Sequence, residues 1–213
     1  MGLREMREWA EALEPAALFN LDEVQAVFPA MSRSAVVSCL SRLCQGDDPL
    51  MGRPQGGWYC RRRLGTLRRV PVPHDVYPVL AWRIAGPGAG MAGPFVANVI
   101  GWSTQVSPRW WIAVVGRPPR SPGGPVYLGR SNRRRLELAN FEVSMLEAIR
   151  DFDTWSELEW ADALDRYAKY ASRGWLGPLR PDLFVAVADA ERGRGPLFRQ
   201  RCRELAAIAG QLD

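Results

Sequence analysis

From Leu3 onward apolar residues return every three or four positions, at Leu3, Met6, Trp9 or Ala10, and Leu13, with Glu5, Glu8 and Glu11 between them. That period predicts an amphipathic helix over 3–13. A second helix starts behind Asn20: Glu23, three residues on, completes a capping-box pattern, and Leu21, Val24 and Phe28 share one face. Phe28-Pro29-Ala30-Met31 reads as a turn, and Ser32 as the cap of a third helix reaching Gln45, with Val36, Cys39 or Leu40, and Leu43 turned inward. Two short strand-like runs follow between Leu50 and Cys60, around a Gly/Pro-rich tip. Three helices and a hairpin in this order predict a winged helix-turn-helix domain over residues 1–70.

Beyond the prolines of 70–74, which read as a linker, the pattern changes. Tyr77–Ile84 predicts a helix, Gly86–Gly90 a loop, and Ala92–Ile100 a short apolar helix ended by Gly101. Trp110–Val115 has the length and β-branched content of a buried strand, with Val126–Leu128 as its neighbour, and the Pro/Gly-rich segment 116–125 between them excludes regular structure. The remainder is helical. Asn140 is expected to cap Phe141–Arg150, Thr154 and Glu157 to form a capping box for a helix reaching Ala171, and Pro181 and Pro196 to open two more helices, ended by Gly193 and Gly210. The expected fold class is therefore α+β: a winged helix-turn-helix followed by a mixed C-terminal domain, residues 71–213, with a small sheet and several helices.

Charge alters this picture by its distribution more than by its net value of +5. Residues 1–31 carry two Arg against six acids, whereas residues 32–69 carry eight Arg against two Asp. Residues 109–135 hold seven Arg and no acid, and residues 136–172 hold nine acids against three basic residues. Such blocks predict a basic footprint for a polyphosphate and an acidic surface facing elsewhere. Of 28 basic residues only Lys169 is lysine. GC-rich coding explains part of that bias, but arginine still binds guanine and phosphate bidentately.

The third helix is the candidate reading element. Arg33, Ser34, Val37, Ser38, Ser41 and Arg42 project from its polar face, and no acid occurs between Ser32 and Gly46. These short side chains would let the helix backbone settle into a major groove about 12 Å wide while offering donors to base edges and phosphates. Arg53 and Gln55 at the hairpin tip, with Arg61, Arg62 and Arg63 on its returning strand, would grip the flanking backbone or minor groove; the alternative is an exposed hairpin with solvated arginines. Arg117, Arg120, Arg130, Arg133, Arg134 and Arg135 form a possible second patch for DNA or an acidic partner, or simply a solvated loop.

Catalytic chemistry finds little purchase. Cys39, Cys44, Cys60 and Cys202 show no CxxC spacing, and His74 is the only histidine, which argues against a zinc site, a disulfide framework and a Cys/His or Ser/His dyad. Glu142, Glu147, Asp151, Asp153, Glu157, Glu159, Asp162 and Asp165 fall at helical spacings that read as solvated helix faces instead of a metal centre. Gly86–Gly90 lacks the Lys-Ser/Thr of a nucleotide loop. No cofactor is expected. The charged start and the absence of a long apolar run predict a cytoplasmic protein without membrane contact, nucleoid-associated when bound to DNA.

The helix Ser-Arg-Ser-Ala-Val-Val-Ser-Cys-Leu-Ser-Arg-Leu at 32–43, the Gly-Gly-Trp-Tyr strand at 56–59, Ile100–Val106, Ile112–Arg117, the run Arg130–Arg135 and the helix opening Phe141-Glu142 together resemble the AbiEi-type antitoxins of type IV toxin-antitoxin systems and their actinobacterial transcriptional-regulator relatives. The C-terminal part is shorter than in many of these relatives. The resemblance implies an N-terminal domain that binds inverted repeats in its own promoter and represses the operon. It also implies a C-terminal domain that counteracts a nucleotidyltransferase-fold toxin encoded next door. The competing expectation is a protein-interaction module, whose small polar helix face docks a toxin or other partner without DNA, or a stand-alone regulator.

Overall fold

The computed structural model describes residues 2–63, 72, 76–120 and 124–211; the expected linker at 70–74 lies outside them except for Val72. The chain divides into two compact units, Met1–Arg83 and Ile84–Asp213, so residues 76–83 go with the N-terminal unit.

In the first unit α1 (Leu3–Ala12) is followed by β1 (Leu18–Asn20), α2 (Leu21–Val27) and α3 (Arg33–Leu43), then by the hairpin β2 (Met51–Gln55) and β3 (Trp58–Arg61), and finally by α4 (Val76–Ala85), which runs across the boundary. The helix ends follow the expected chemistry. The Asn20 side chain accepts from the Glu23 amide at 2.9 Å while the Glu23 carboxylate accepts from the Asn20 amide at 2.7 Å. Ser32 Oγ accepts from the Ala35 amide at 3.2 Å. The inward stripes of the helices, with Met6, Ala10, Val24, Phe28, Val36, Cys39, Leu40 and Leu43, close one core together with Leu50, Met51 and Tyr59 of the hairpin. Trp9 fills its edge, meeting Phe19 and Phe28 edge-on at 5.1 and 5.6 Å.

The strand β1 is absent from the sequence expectation, because three residues are too few to show a period of two. It pairs antiparallel with β3, Phe19 opposite Tyr59, giving a sheet ordered β1-β3-β2. Asn20 thus ends a strand and caps a helix at once. Gly57, with φ of +77° at the hairpin turn, occupies the left-handed region that glycine enters without strain.

The second unit holds β4 (Gly90–Met91), α5 (Gly93–Val99), β5 (Trp111–Val115) and β6 (Val126–Arg130), a 3-10 turn (Arg133–Glu137), then α6 (Asn140–Arg150), α7 (Phe152–Trp155), α8 (Trp160–Ala171), α9 (Pro181–Asp189) and α10 (Pro196–Ala209). Its sheet is ordered β4-β5-β6, antiparallel then parallel. Helix α6 forms the centre, with every residue from Glu142 to Ile149 buried. Gly90 lies in a strand, paired with Ala113 of β5, instead of ending a loop, and α6 passes so close that a Cβ there would sit 2.5 Å from the Ser144 amide.

Several helix boundaries differ from expectation, and in the first unit α1 and α3 stop at Ala12 and Leu43, short of residues 13 and 45. Ala139, not Asn140, occupies the cap position of α6, since the Glu142 carboxylate reaches back to the Ala139 amide at 2.8 Å. Thr154 lies inside the short α7, and the chain starts helix again only at Trp160. Glu157 is unavailable as a capping partner because its carboxylate accepts from the Thr104 amide at 2.9 Å and from the Ser103 hydroxyl at 2.9 Å. Helix α9 ends at Asp189, ahead of Gly193.

Candidate nucleic-acid interface

The polar face of α3 is open. Arg33, Ser34, Val37, Ser38, Ser41 and Arg42 are all exposed, while Val36, Cys39, Leu40 and Leu43 on the opposite face are buried. The N-terminal end of the helix is organised by Ser32, whose hydroxyl caps Ala35 and lies 3.0 Å from that of Ser34. Gln25 on α2 fixes the turn into this helix, donating from Nε2 to the carbonyls of Phe28 at 3.2 Å and Met31 at 2.7 Å. No hydrophobic period singles out Gln25; its role comes entirely from where the turn carbonyls fall.

Arg33 carries a partner that the spacing of the sequence does not reveal. Its Nη1 lies 2.6 Å from Oδ1 of Asp22 in the first turn of α2. Glu23 beside it is engaged differently, capping α2 and pairing with Arg83 of α4. Arg83 also donates to the Leu18 carbonyl at 2.6 Å and lies over the Trp58 ring at 4.9 Å, tying α4 to the edge strand β1 and the central strand β3 of the small sheet.

On the hairpin, Arg53 is exposed with its guanidinium 5.8 Å from the Tyr59 ring centroid, and Gln55 is half-buried near the turn. Arg61 is half-buried and Arg63 exposed. Arg62 departs from expectation: it is buried, and its Nη1 donates to the Pro49 carbonyl at 3.1 Å. It braces the loop that enters β2 and presents no charge to a ligand. Its amide also donates to the Leu50 carbonyl at 3.0 Å, which holds the residue beside the entry to β2.

The expected second patch is split. Arg117, Arg120, Arg133 and Arg134 are exposed, with Arg134 pairing to Glu137 at 3.1 Å. Arg130 and Arg135 turn inward to a charge cluster within the unit. Arg135 is fully buried, its Nη1 2.7 Å from Glu147 and its Nε 2.7 Å from Glu191. Arg130 donates from Nε to Glu147 at 2.9 Å, and Arg150 lies 3.3 Å from Glu147 while pairing also with Glu191. Asn132 completes the group by donating to Glu191 at 2.9 Å and to the Val187 carbonyl at 3.0 Å.

This arrangement overturns the reading of Glu142 and Glu147 as solvated residues, for both are fully buried. Burial alone would raise their pKa values, yet hydrogen bonds and charge from the surrounding arginines hold both below the ordinary carboxylate value. Glu142 is held by Arg180, which donates from its amide at 2.8 Å and from Nε at 3.1 Å. These ions tie β6, the 3-10 turn, α6 and the residues flanking α9 together, and Glu142, Glu147 and Glu191 are spent on arginines.

The four cysteines are unpaired. Burial pushes the thiol of Cys60 up to about 11 and raises those of Cys44 and Cys202, so none of these three is a ready thiolate. Among the described residues no three His, Cys, Asp or Glu side chains gather as a metal ion requires, and no helix is long and apolar enough to cross a membrane. Trp110 stacks on Phe95 at 6.2 Å and Trp111 lies against Trp155 at 6.3 Å, so each ring of the pair already has a protein neighbour.

No protein-family model matches the sequence, and no curated protein matches it. Among solved structures, the crystal structure of the RV2827C protein from Mycobacterium tuberculosis matches at 13% identity and a TM-score of 0.47, covering 97% of this chain and 76% of that one.

Proposed function

We propose that this chain is a sequence-specific repressor that binds double-stranded DNA, with its N-terminal unit working as a winged helix-turn-helix. The observation that carries the reading is the exposed, acid-free face of α3, backed by a core that it shares with the hairpin. Serines and arginines on such a face let a helix approach base edges closely, where a face carrying Glu would be repelled by the phosphates. The element order α1-β1-α2-α3-β2-β3, with β3 central in the sheet, supports the same reading, being the order of a winged helix. In this role α3 enters the major groove, with Arg33, Ser34, Ser38, Ser41 and Arg42 meeting bases and phosphates. The hairpin is the wing, with Arg53, Gln55, Arg61 and Arg63 along the flanking backbone.

The resemblance to AbiEi-type antitoxins extends the proposal. The operator would be an inverted repeat in the chain's own promoter, and the second unit would counteract a nucleotidyltransferase-fold toxin, with no catalysis of its own. The working location would be the cytoplasm, on the nucleoid when DNA is bound.

Mobility shifts with duplexes from the upstream region test the core of this reading. Specific binding should fall steeply between about 50 and 200 mM salt, as counterion release demands. Arg42→Ala should weaken it by roughly 1 to 3 kcal/mol if Arg42 reads guanine, or lower all binding evenly if it holds phosphate. Binding that ignores both salt and Arg42 would refute the role of α3. A nucleotidyltransferase-like reading frame directly downstream supports the antitoxin extension.

A further inference from the structure

We propose that Asp22 is a positioning residue for Arg33: by gripping one edge of the guanidinium it aims the remaining donors at a guanine edge and denies them to passing phosphates. The inference rests on the DNA-binding reading of α3 and adds a specificity determinant that lies outside the recognition helix.

The pair joins α2 to α3 across the turn that Gln25 holds rigid, with Asp22 Oδ1 at 2.6 Å from Arg33 Nη1. The two side chains are 78% and 59% exposed respectively, so the pair adds little to stability and its guanidinium stays within reach of a ligand. Of the two acids in the first turn of α2, Glu23 is taken by the Asn20 amide and by Arg83. Asp22 is the carboxylate that addresses α3. Arginine has five donors in a rigid fork, and one of them satisfies Asp22. The others remain for a base edge such as guanine O6 and N7, which needs two parallel donors from a fixed direction. A guanidinium already oriented loses less side-chain freedom when it binds. A phosphate oxygen, by contrast, must compete with the carboxylate and meets its charge nearby. Asp22 therefore weakens non-specific contact more than specific contact.

The test uses the full chain and two labelled duplexes, one obtained by selection from random sequence and one scrambled. Asp22→Asn keeps the shape and removes the charge; circular dichroism checks that α2 persists. The scrambled duplex should bind several-fold more tightly to this variant, with a salt slope steeper by about one phosphate contact. The selected duplex should gain less or lose, so that the ratio of the two affinities falls roughly 5-fold or more, within the range a bidentate base contact supplies. In the Arg33→Ala background, Asp22→Asn should leave that ratio unchanged, and Asp22→Glu in the natural background should restore most of it. An equal change on both duplexes, or the same change with and without Arg33, overturns the role of Asp22 and leaves the DNA-binding reading intact. Failure of the unaltered chain to bind either duplex overturns the DNA-binding reading itself.

Discussion

Replacing Glu147 by Gln should be among the most damaging conservative changes available to the second unit. The carboxylate is fully buried and is shared by Arg130, Arg135 and Arg150, while Glu191 pairs with Arg135 and Arg150 and the half-buried Asp151 lies near enough to act on Arg130. Neutralising Glu147 removes the one carboxylate that all three of these arginines share. Arg130 is partly exposed and can turn its guanidinium toward water, but Arg135 has no exposed surface at all, and its Nη2 lacks a hydrogen-bond partner even in the intact cluster. Glutamine would also present donors where guanidinium donors already point. Breaking a buried ion pair from one side costs about 3–5 kcal/mol. For the 130 residues of this unit, at an unfolding entropy of about 2.1 cal/mol/K per residue, that is a fall in Tm of roughly 11–18 °C. Differential scanning calorimetry of the full chain at pH 7 reads it directly. Because Glu147 and Glu191 are held below the ordinary carboxylate value in the folded state, their contribution is complete above about pH 4.5 and is lost as the pH falls through the depressed values. The gap between the natural chain and Glu147→Gln should therefore stay constant near neutrality and narrow on acidification. A loss below about 1 kcal/mol, or a gap indifferent to acid, refutes the cluster as the brace of this unit.

Two further outcomes follow from the same geometry. Arg62→Ala should lower the stability of the N-terminal unit by about 1–3 kcal/mol, through the bond lost to the Pro49 carbonyl, while the salt slope of DNA binding stays as it was; chemical denaturation and salt-titrated mobility shifts separate the two effects. Cys60, with its thiol pushed up to about 11 by burial, should be on the order of 0.1% thiolate at pH 8 and resist iodoacetamide until the unit unfolds, as peptide mass mapping would show; fast native labelling would contradict its burial.

Where local rules were enough, the sequence alone determined the result. The first three helices, the caps at Asn20 and Ser32, the inward stripe of α3 and the hairpin turn at Gly56-Gly57 are matters of short-range periodicity and of amides that neighbouring side chains satisfy. The exposed serines and arginines of α3 follow, because burying one face of a helix exposes the other. Tertiary structure decided what depends on distant partners. A three-residue strand such as β1 exists only because β3 offers it a ladder. Glu147 and Arg135 look like surface residues by composition, and only a fold that gathers Arg130, Arg150 and Glu191 around them makes their burial tolerable. The same holds for Asp22 and Arg33, eleven positions apart and on different helices. Charge follows the low-dielectric geometry of the whole molecule, whereas helix and turn propensities follow the chain over a few residues.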